Sequence, residues 1–263
     1  MKRSLIPAIC IAALLGGCAF APNAPPAVRN ELVPTGKLRV GLILSNQVLV
    51  AKDPKTGELS GVTVSLGKAL AERLGVPFEP VGYPNPAALA KSFGANEWDI
   101  AFLAFDPARA QEVDFSPPYM VVDNTYLVPP GSSLQSADAA DRPDVRIAVP
   151  ERSAPDLFLS RNLKAAQLVR VPGGADSALE VLRSGRADAY AENAHMLSLY
   201  SQRLPGSRVL EGRYTVIQHA IALPKGRPAA AQYVRQFVQN AKNDGTIRDA
   251  IGNANLRRAS VAP

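Results

Sequence analysis

Two histidines and two cysteines are all that this sequence offers of the side chains that most readily ligate metals or serve as nucleophiles near neutral pH. His195 and His219 stand far apart, and neither has a partner at a metal-ligand spacing such as HExxH, so both read as structural. No GxSxG elbow and no phosphate-cradling glycine loop occurs, and Gly173-Gly174 between a strand-like and a helix-like stretch is too short a signal to count as one. The sequence therefore carries no positive motif for catalysis, for a metal site or for a bound cofactor. Chemistry is left to charged and hydrogen-bonding side chains, which suits recognition of a small polar molecule better than its conversion.

The first residues are Met1-Lys2-Arg3, then an apolar run from Leu5 to Leu15, then Gly16-Gly17-Cys18. A charged start, an apolar stretch well short of the roughly 20 residues that span a bilayer, and small residues at its end describe an export leader. Leu15-Gly16-Gly17-Cys18 resembles the bacterial lipobox, which implies cleavage before Cys18, lipidation of that cysteine and attachment to a membrane by lipid only. Cys10 leaves with such a leader, so a disulfide framework, a thiolate zinc site and a cysteine nucleophile are not expected. The formal charge of +6 is spread along the chain without basic blocks or interleaved aromatics, which argues against nucleic-acid binding. At 47% hydrophobic and 20% charged, the remainder has the composition of a globular protein.

From Ala19 to about Thr35 the chain is rich in Pro, Ala and Asn and reads as a semi-extended spacer. Strand-like and helix-like stretches then alternate. Lys37–Leu44 is β-like, and Leu59–Thr63 reads as a short strand. Val64–Leu74 has a helical period ending at Gly75, Val76–Val81 is a strand, Ala87–Phe93 a helix, Trp98–Phe105 a buried strand and Pro107–Gln111 a helical turn. After the turn signal Pro129-Pro130-Gly131 the rhythm restarts. Val145–Val149, Gln167–Val171 and Ala187–Ala191 are strands, and Ala154–Asn162, Asp176–Leu182 and Ala194–Arg203 are helices. Thr215–Leu223 is a last strand, followed by helices over Ala229–Ala241 and Gly245–Ile251. Such alternation predicts parallel α/β architecture in two units.

Several landmarks occur in a familiar order: Gly57-Glu58-Leu59-Ser60-Gly61-Val62, Trp98-Asp99-Ile100, Pro107-Ala108-Arg109, Val113 to Tyr119 (VDFSPPY), Val145 to Val149 before a helix, and Gly185-Arg186-Ala187-Asp188-Ala189. In this set the chain resembles the bacterial extracellular solute-binding proteins of family 3, the polar amino-acid type that serves ABC importers. The resemblance implies a two-lobe, type II periplasmic-binding-protein-like α/β fold. Each lobe is then a mixed, mostly parallel sheet flanked by helices, with a two-strand hinge near Tyr126–Val128 and Ile217–Ala220. The implied organisation is a signal peptide over 1–17, a lipid-anchored flexible spacer over 18–36, a discontinuous first lobe of 37–127 and 221–263, and a second lobe of 128–220. The implied partners are a small solute and an inner-membrane ABC permease, for a monomer held by lipid in the periplasm or cell envelope.

By the same resemblance, Arg109 stands where the family clamps a ligand carboxylate, a contact that suits the guanidinium fork. Arg152-Ser153-Ala154 replaces a Gly-Thr pair that opens a second-lobe helix, whose free N–H groups and positive dipole end suit an anion. Ser153 is also a good N-cap. Asn193 stands where an aspartate commonly holds the ligand's ammonium, and Glu192 beside it points to the same face only if the strand bends there. Ser45-Asn46-Gln47 replaces an aromatic platform. Asn46, Gln47, Ala104 and Phe105 complete the expected ligand-binding set. A retained carboxylate clamp with a weakened ammonium partner favours an organic acid or modified amino acid over a cationic amino acid. Two alternatives keep the same cleft: a dehydratase of the cyclohexadienyl or arogenate type with Glu192 as its acid, and a ligand-sensing lipoprotein that signals to a membrane partner.

Overall fold

A computed structural model describes residues 24–263; the expected leader and Cys18 lie outside the described residues. The described residues open with helix α1 (Pro26–Leu32), then β1 (Leu38–Ile43), β2 (Ala51–Lys52), β3 (Leu59–Ser60), α2 (Val62–Leu74), β4 (Phe78–Tyr83), α3 (Pro86–Lys91) and β5 (Ile100–Ala104). A 3-10 turn at Arg109–Gln111 leads into β6 (Val113–Phe115) and the long strand β7 (Met120–Val128). Next come β8 (Arg146–Pro150), α4 (Ala154–Asn162), β9 (Gln167–Val171), α5 (Ala175–Arg183), β10 (Ala189–Asn193), α6 (Ala194–Ser201) and β11 (Arg208–Val209). The chain returns through β12 (Thr215–Pro224) and closes with α7 (Pro228–Asn243), α8 (Thr246–Asn253) and β13 (Ala259–Val261).

Local chemistry sets several of these boundaries. Gly61 precedes α2 at φ 107°, and a Cβ there would meet the Leu49 carbonyl at 2.7 Å, so only glycine fits. Gly75 ends α2 in the left-handed conformation and donates back to the last turn. Asn85 caps α3 by accepting from Ala88 N at 2.8 Å, with Pro86 in the first helical position.

The strands run in the order β4-β1-β5-β12-β7-β10-β8-β9. At one end β4, β1 and β5 are parallel, and at the other β10, β8 and β9 are parallel. Between them β12 and β7 pair antiparallel, from Thr215↔Asn124 to His219↔Met120. Each of these two strands also joins one half of the sheet: β12 pairs with β5 through His219–Ala222, and β7 pairs with β10 through Asn124–Leu127. Two α/β lobes joined by two crossing strands result, with helices packed on each parallel half.

The same device anchors both parallel halves. Asp99 takes the backbone N–H of Arg39 at 2.9 Å and its guanidinium at 3.1 and 2.7 Å. Asp188 takes the backbone N–H of Arg146 at 2.8 Å and its guanidinium at 3.0 and 2.9 Å. The aspartates of the Trp98-Asp99 and Arg186-Ala187-Asp188 motifs thus tie the starts of β1 and β8 to the strand beside them. That leaves the carboxyl ends of the strands, where open α/β sheets bind ligands, free to face one another.

The N-terminal segment departs from the expected spacer. Pro26–Leu32 is a helix that buries Val28 and Leu32. Glu31 accepts from Ala230 N at 2.9 Å and Arg227 at 3.0 Å, and Arg29 donates to the Leu74 carbonyl at 3.1 Å. A helix of 7 residues is too short to display a hydrophobic period in sequence and is stabilised by its tertiary packing. Leu59–Thr63 also differs: the strand stops at Ser60 and α2 starts at Val62. The strand over Met120–Val128 has no counterpart in the periodicity reading, because Asp123-Asn124-Thr125 break its apolar run with consecutive polar residues, of which Asn124 and Thr125 are buried.

Candidate functional site

The carboxyl ends of β1, β5, β8 and β10 converge on a cleft between the lobes, which closes around a cavity of about 50 Å³. Arg109, on the turn after β5, lies in its wall and is buried. Its two terminal nitrogens donate to carbonyls from opposite lobes: Nη1 to Ala104 O at 3.0 Å and Nη2 to Arg152 O at 2.8 Å. Burial, opposed by Asp106 and reinforced by Arg152, lowers its pKa to about 10, so it stays charged at neutral pH. Among the described residues no carboxylate forms an ion pair with it. Its buried charge is therefore held by carbonyl dipoles and by the field of nearby Asp106, with no ion pair among the described residues.

Across the cleft, β10 ends where α6 begins. Asn193 is the N-cap, accepting from Met196 N at 2.9 Å, and its own N–H and Nδ2 donate to Glu192 Oε1 at 2.9 and 3.0 Å. This turn out of the strand brings Glu192 and Asn193 to the same cavity, where simple alternation would separate them. Burial pushes the Glu192 carboxyl up to about 7 although both hydrogen bonds from Asn193 pull it down.

Ser153 caps α4 by accepting from Asp156 N at 3.2 Å, and it lines the cavity with Ala154. Proline occupies position 155 and has no N–H, so the first turn of α4 offers an anion fewer donors than a plain helix start. Asn46 and Ala104 also line the cavity; Asn46 Oδ1 accepts from Val48 N at 3.2 Å, and the Ala104 carbonyl holds Arg109.

Three expected side chains are not in the cavity wall. Arg152 has φ 57°, in the left-handed region, which turns its carbonyl towards Arg109 and its side chain into solvent. That conformation accounts for the glycine usual at this place. Gln47 is exposed near Gly61, Ser65 and Ala250, because the buried Val48-Leu49-Val50 run beside it fills the core. Phe105 is 43% exposed, packs edge-on against Phe115 at 5.4 Å, and lines a separate depression with Phe158 and Arg161 of the other lobe.

Sequence reasoning missed His219 as a wall residue. It lay within the expected crossing stretch Ile217–Ala220, which was the available signal. Gly173 and Gly174 line the cleft as well, and Gly173 lies close enough to the first lobe that a Cβ there would sit 3.7 Å from Ser45 Oγ. The lobes also meet outside the cavity, where Arg161 of α4 pairs with the buried Asp106 at 2.6 and 3.3 Å.

Among the described residues, no group of three or more His, Cys, Asp or Glu side chains gathers as a metal site, and no helix is long and apolar enough to cross a membrane. The family model of the bacterial extracellular solute-binding proteins, family 3, matches residues 38–252. The chain belongs to that family. Family 3 proteins are the extracytoplasmic, solute-binding parts of ABC importers, which gives this protein a small-molecule ligand, a membrane permease as partner and an envelope location.

Among curated relatives of this family 3 protein is the ABC transporter glutamine-binding protein GlnH of Bacillus subtilis, 22% identical over 80% of this chain and 77% of the relative. Among solved structures, a solute receptor for L-cysteine from Neisseria gonorrhoeae superposes with a TM-score of 0.76, at 20% identity over 90% of this chain and 99% of the other. The ancestral amino acid-binding protein AncCDT-1, a precursor of cyclohexadienyl dehydratase, gives 0.70, at 26% identity over 85% and 97%.

Proposed function

We propose that this family 3 protein captures a small carboxylate-bearing solute, an amino acid, an amino-acid derivative or an organic acid, by closing its lobes and presents it to an inner-membrane ABC permease. The observation that carries the reading is Arg109: buried, charged and in no ion pair among the described residues, at the meeting point of both lobes. An anion there relieves an unpaired buried charge and adds contacts to both sides of the cleft, so binding favours closure. The lobes correspond to 37–127 with 221–263 and to 128–220, and the protein acts as a monomer tethered through a lipid on Cys18. A thermal-shift screen of the purified protein against amino acids, dicarboxylates and other small acids tests this. A stabilising solute is expected, and its effect disappears in Arg109→Ala.

Glu192 supports a second reading. A carboxyl whose pKa is near 7 in a closing cleft can donate a proton at neutral pH. With Arg109 holding one substrate carboxylate, Glu192 would protonate a leaving hydroxyl; the C–O bond breaks and water departs, while the ring carboxylate of prephenate leaves as CO2 and its C–C bond pair aromatises the ring. Conversion of prephenate by the purified protein, lost in Glu192→Gln, supports the enzyme; no conversion by the native protein removes it.

A further inference from the structure

His219 is buried, lines the cleft, and has an Nδ1 with no hydrogen-bond partner among the described residues. A buried polar atom without a partner is destabilising, and folds keep one where something else supplies the partner. Three other buried polar atoms lack partners, the hydroxyls of Tyr119, Tyr190 and Tyr214, but none of these residues lines the cavity. Four other neutral polar side chains of the wall are in use: Asn46, Asn193 and Ser153 accept from backbone N–H groups, and Asn124 donates to the Val122 carbonyl; the hydroxyls of Ser45 and Tyr200, which also line it, are not among the buried atoms without a partner.

Position decides what the imidazole faces. In the sheet His219 is opposite Ala104, whose carbonyl holds the Arg109 guanidinium, so the guanidinium is anchored on the backbone position paired with His219. Burial, reinforced by the Arg109 charge, lowers the pKa of His219 to about 4, so the ring is neutral at the pH where Arg109 is charged. A neutral imidazole offers one donor and one acceptor. It adds a directional contact beside the cation without adding to or cancelling its charge.

We infer that His219 is a ligand-contacting, specificity-determining residue, whose neutral imidazole hydrogen-bonds the carboxylate-bearing end of the solute next to Arg109. The inference rests on the carboxylate-capture reading above and adds a residue and a directional requirement to it. Packing alone does not account for a histidine here. Its ring stands 6.5 Å from that of Tyr119, and phenylalanine would fill the same place without an unpartnered nitrogen.

With only two histidines in the chain, NMR of the ring nitrogens gives a spectrum simple enough to assign with a His195→Gln variant. The purified protein is titrated with L-glutamine, L-cysteine, L-arginine and succinate, and binding is followed in parallel by calorimetry. For any of these that saturates the protein, the His219 ring nitrogens shift and those of His195 stay. His219→Phe weakens that solute about tenfold, the loss of one hydrogen bond, while the ligand-free melting temperature is kept or raised. Unmoved His219 nitrogens at calorimetric saturation, or a His219→Phe protein that binds like the native one, overturn the inference and leave the Arg109 reading in place. If none of the four solutes binds, or if Arg109→Ala binds as tightly as the native protein, the carboxylate-capture reading fails and takes this inference with it.

Discussion

Replacing Glu192 by glutamine is expected to stabilise the protein above neutral pH and to do nothing at low pH. In the folded protein burial holds the carboxyl at about 7, against an ordinary 4.5, even with two hydrogen bonds from Asn193 favouring the anion. The folded state therefore binds this proton more tightly than the unfolded state. Below about pH 4.5 both states are protonated and the site costs nothing. As pH rises towards 7 the unfolded chain ionises first, and stability falls by roughly 1.4 kcal/mol per pH unit, to a total of about 3 kcal/mol. Glutamine keeps the acceptor for Asn193 and never ionises, so it escapes this loss.

Melting curves of native and Glu192→Gln proteins from pH 4.5 to pH 8.5 read the difference directly. A chain of this size moves about 2–4 °C per kcal/mol, so the gap opens from near zero to several degrees. His219 acts in the opposite sense: with its pKa lowered from 6.5 to about 4, it removes stability as pH falls through that window. That contribution is common to both proteins and cancels in their difference. A gap that stays constant with pH, or one that closes as pH rises, refutes the buried-carboxyl argument.

Removing residues 24–37 from a chain that starts at Ala24 should lower stability by on the order of 3 kcal/mol in melting experiments, because Val28 and Leu32 lose their burial. Arg161→Ala leaves the buried Asp106 without its partner across the lobes; small-angle scattering of the ligand-free protein should then show a larger radius of gyration, with affinity for the solute reduced several-fold. Arg152→Gly relieves a left-handed backbone and keeps the carbonyl that holds Arg109. It should preserve solute affinity within about twofold and stability within about 1 kcal/mol, as calorimetry and melting can check.

Most regular elements were legible because their signals are local. Ala154–Asn162 follows a capping serine and a proline at the second helical position, and Gln167–Val171 is a short β-rich run. The crossing strand Met120–Val128 was not legible from periodicity, since three consecutive polar residues, Asp123-Asn124-Thr125, interrupt its apolar pattern, and the burial of Asn124 and Thr125 between β12 and β10 comes from pairing distant in sequence. Helix α1 was hidden for another reason: its stability comes from α7, nearly 200 residues away, and not from its own sequence.

In the cleft, a side chain's facing followed backbone geometry that no spacing rule supplies. The left-handed Arg152 turned its side chain outward, the start of α6 brought Glu192 and Asn193 to one cavity, and Val48-Leu49-Val50 fixed Gln47 outside. His219 looked structural in sequence because its value depends on Ala104 and Arg109, which the sheet register brings beside it.

The binding isotherm of the best-stabilising solute, measured by calorimetry for the native protein, Arg109→Ala and Arg109→Lys, tests the carboxylate clamp most directly. Lysine keeps the charge but loses the fork that spans Ala104 O and Arg152 O. The prediction is binding by the native protein, a loss of tenfold or more with lysine, and no measurable binding with alanine. Equal affinity in all three proteins would contradict the claim that the buried guanidinium is the carboxylate receptor.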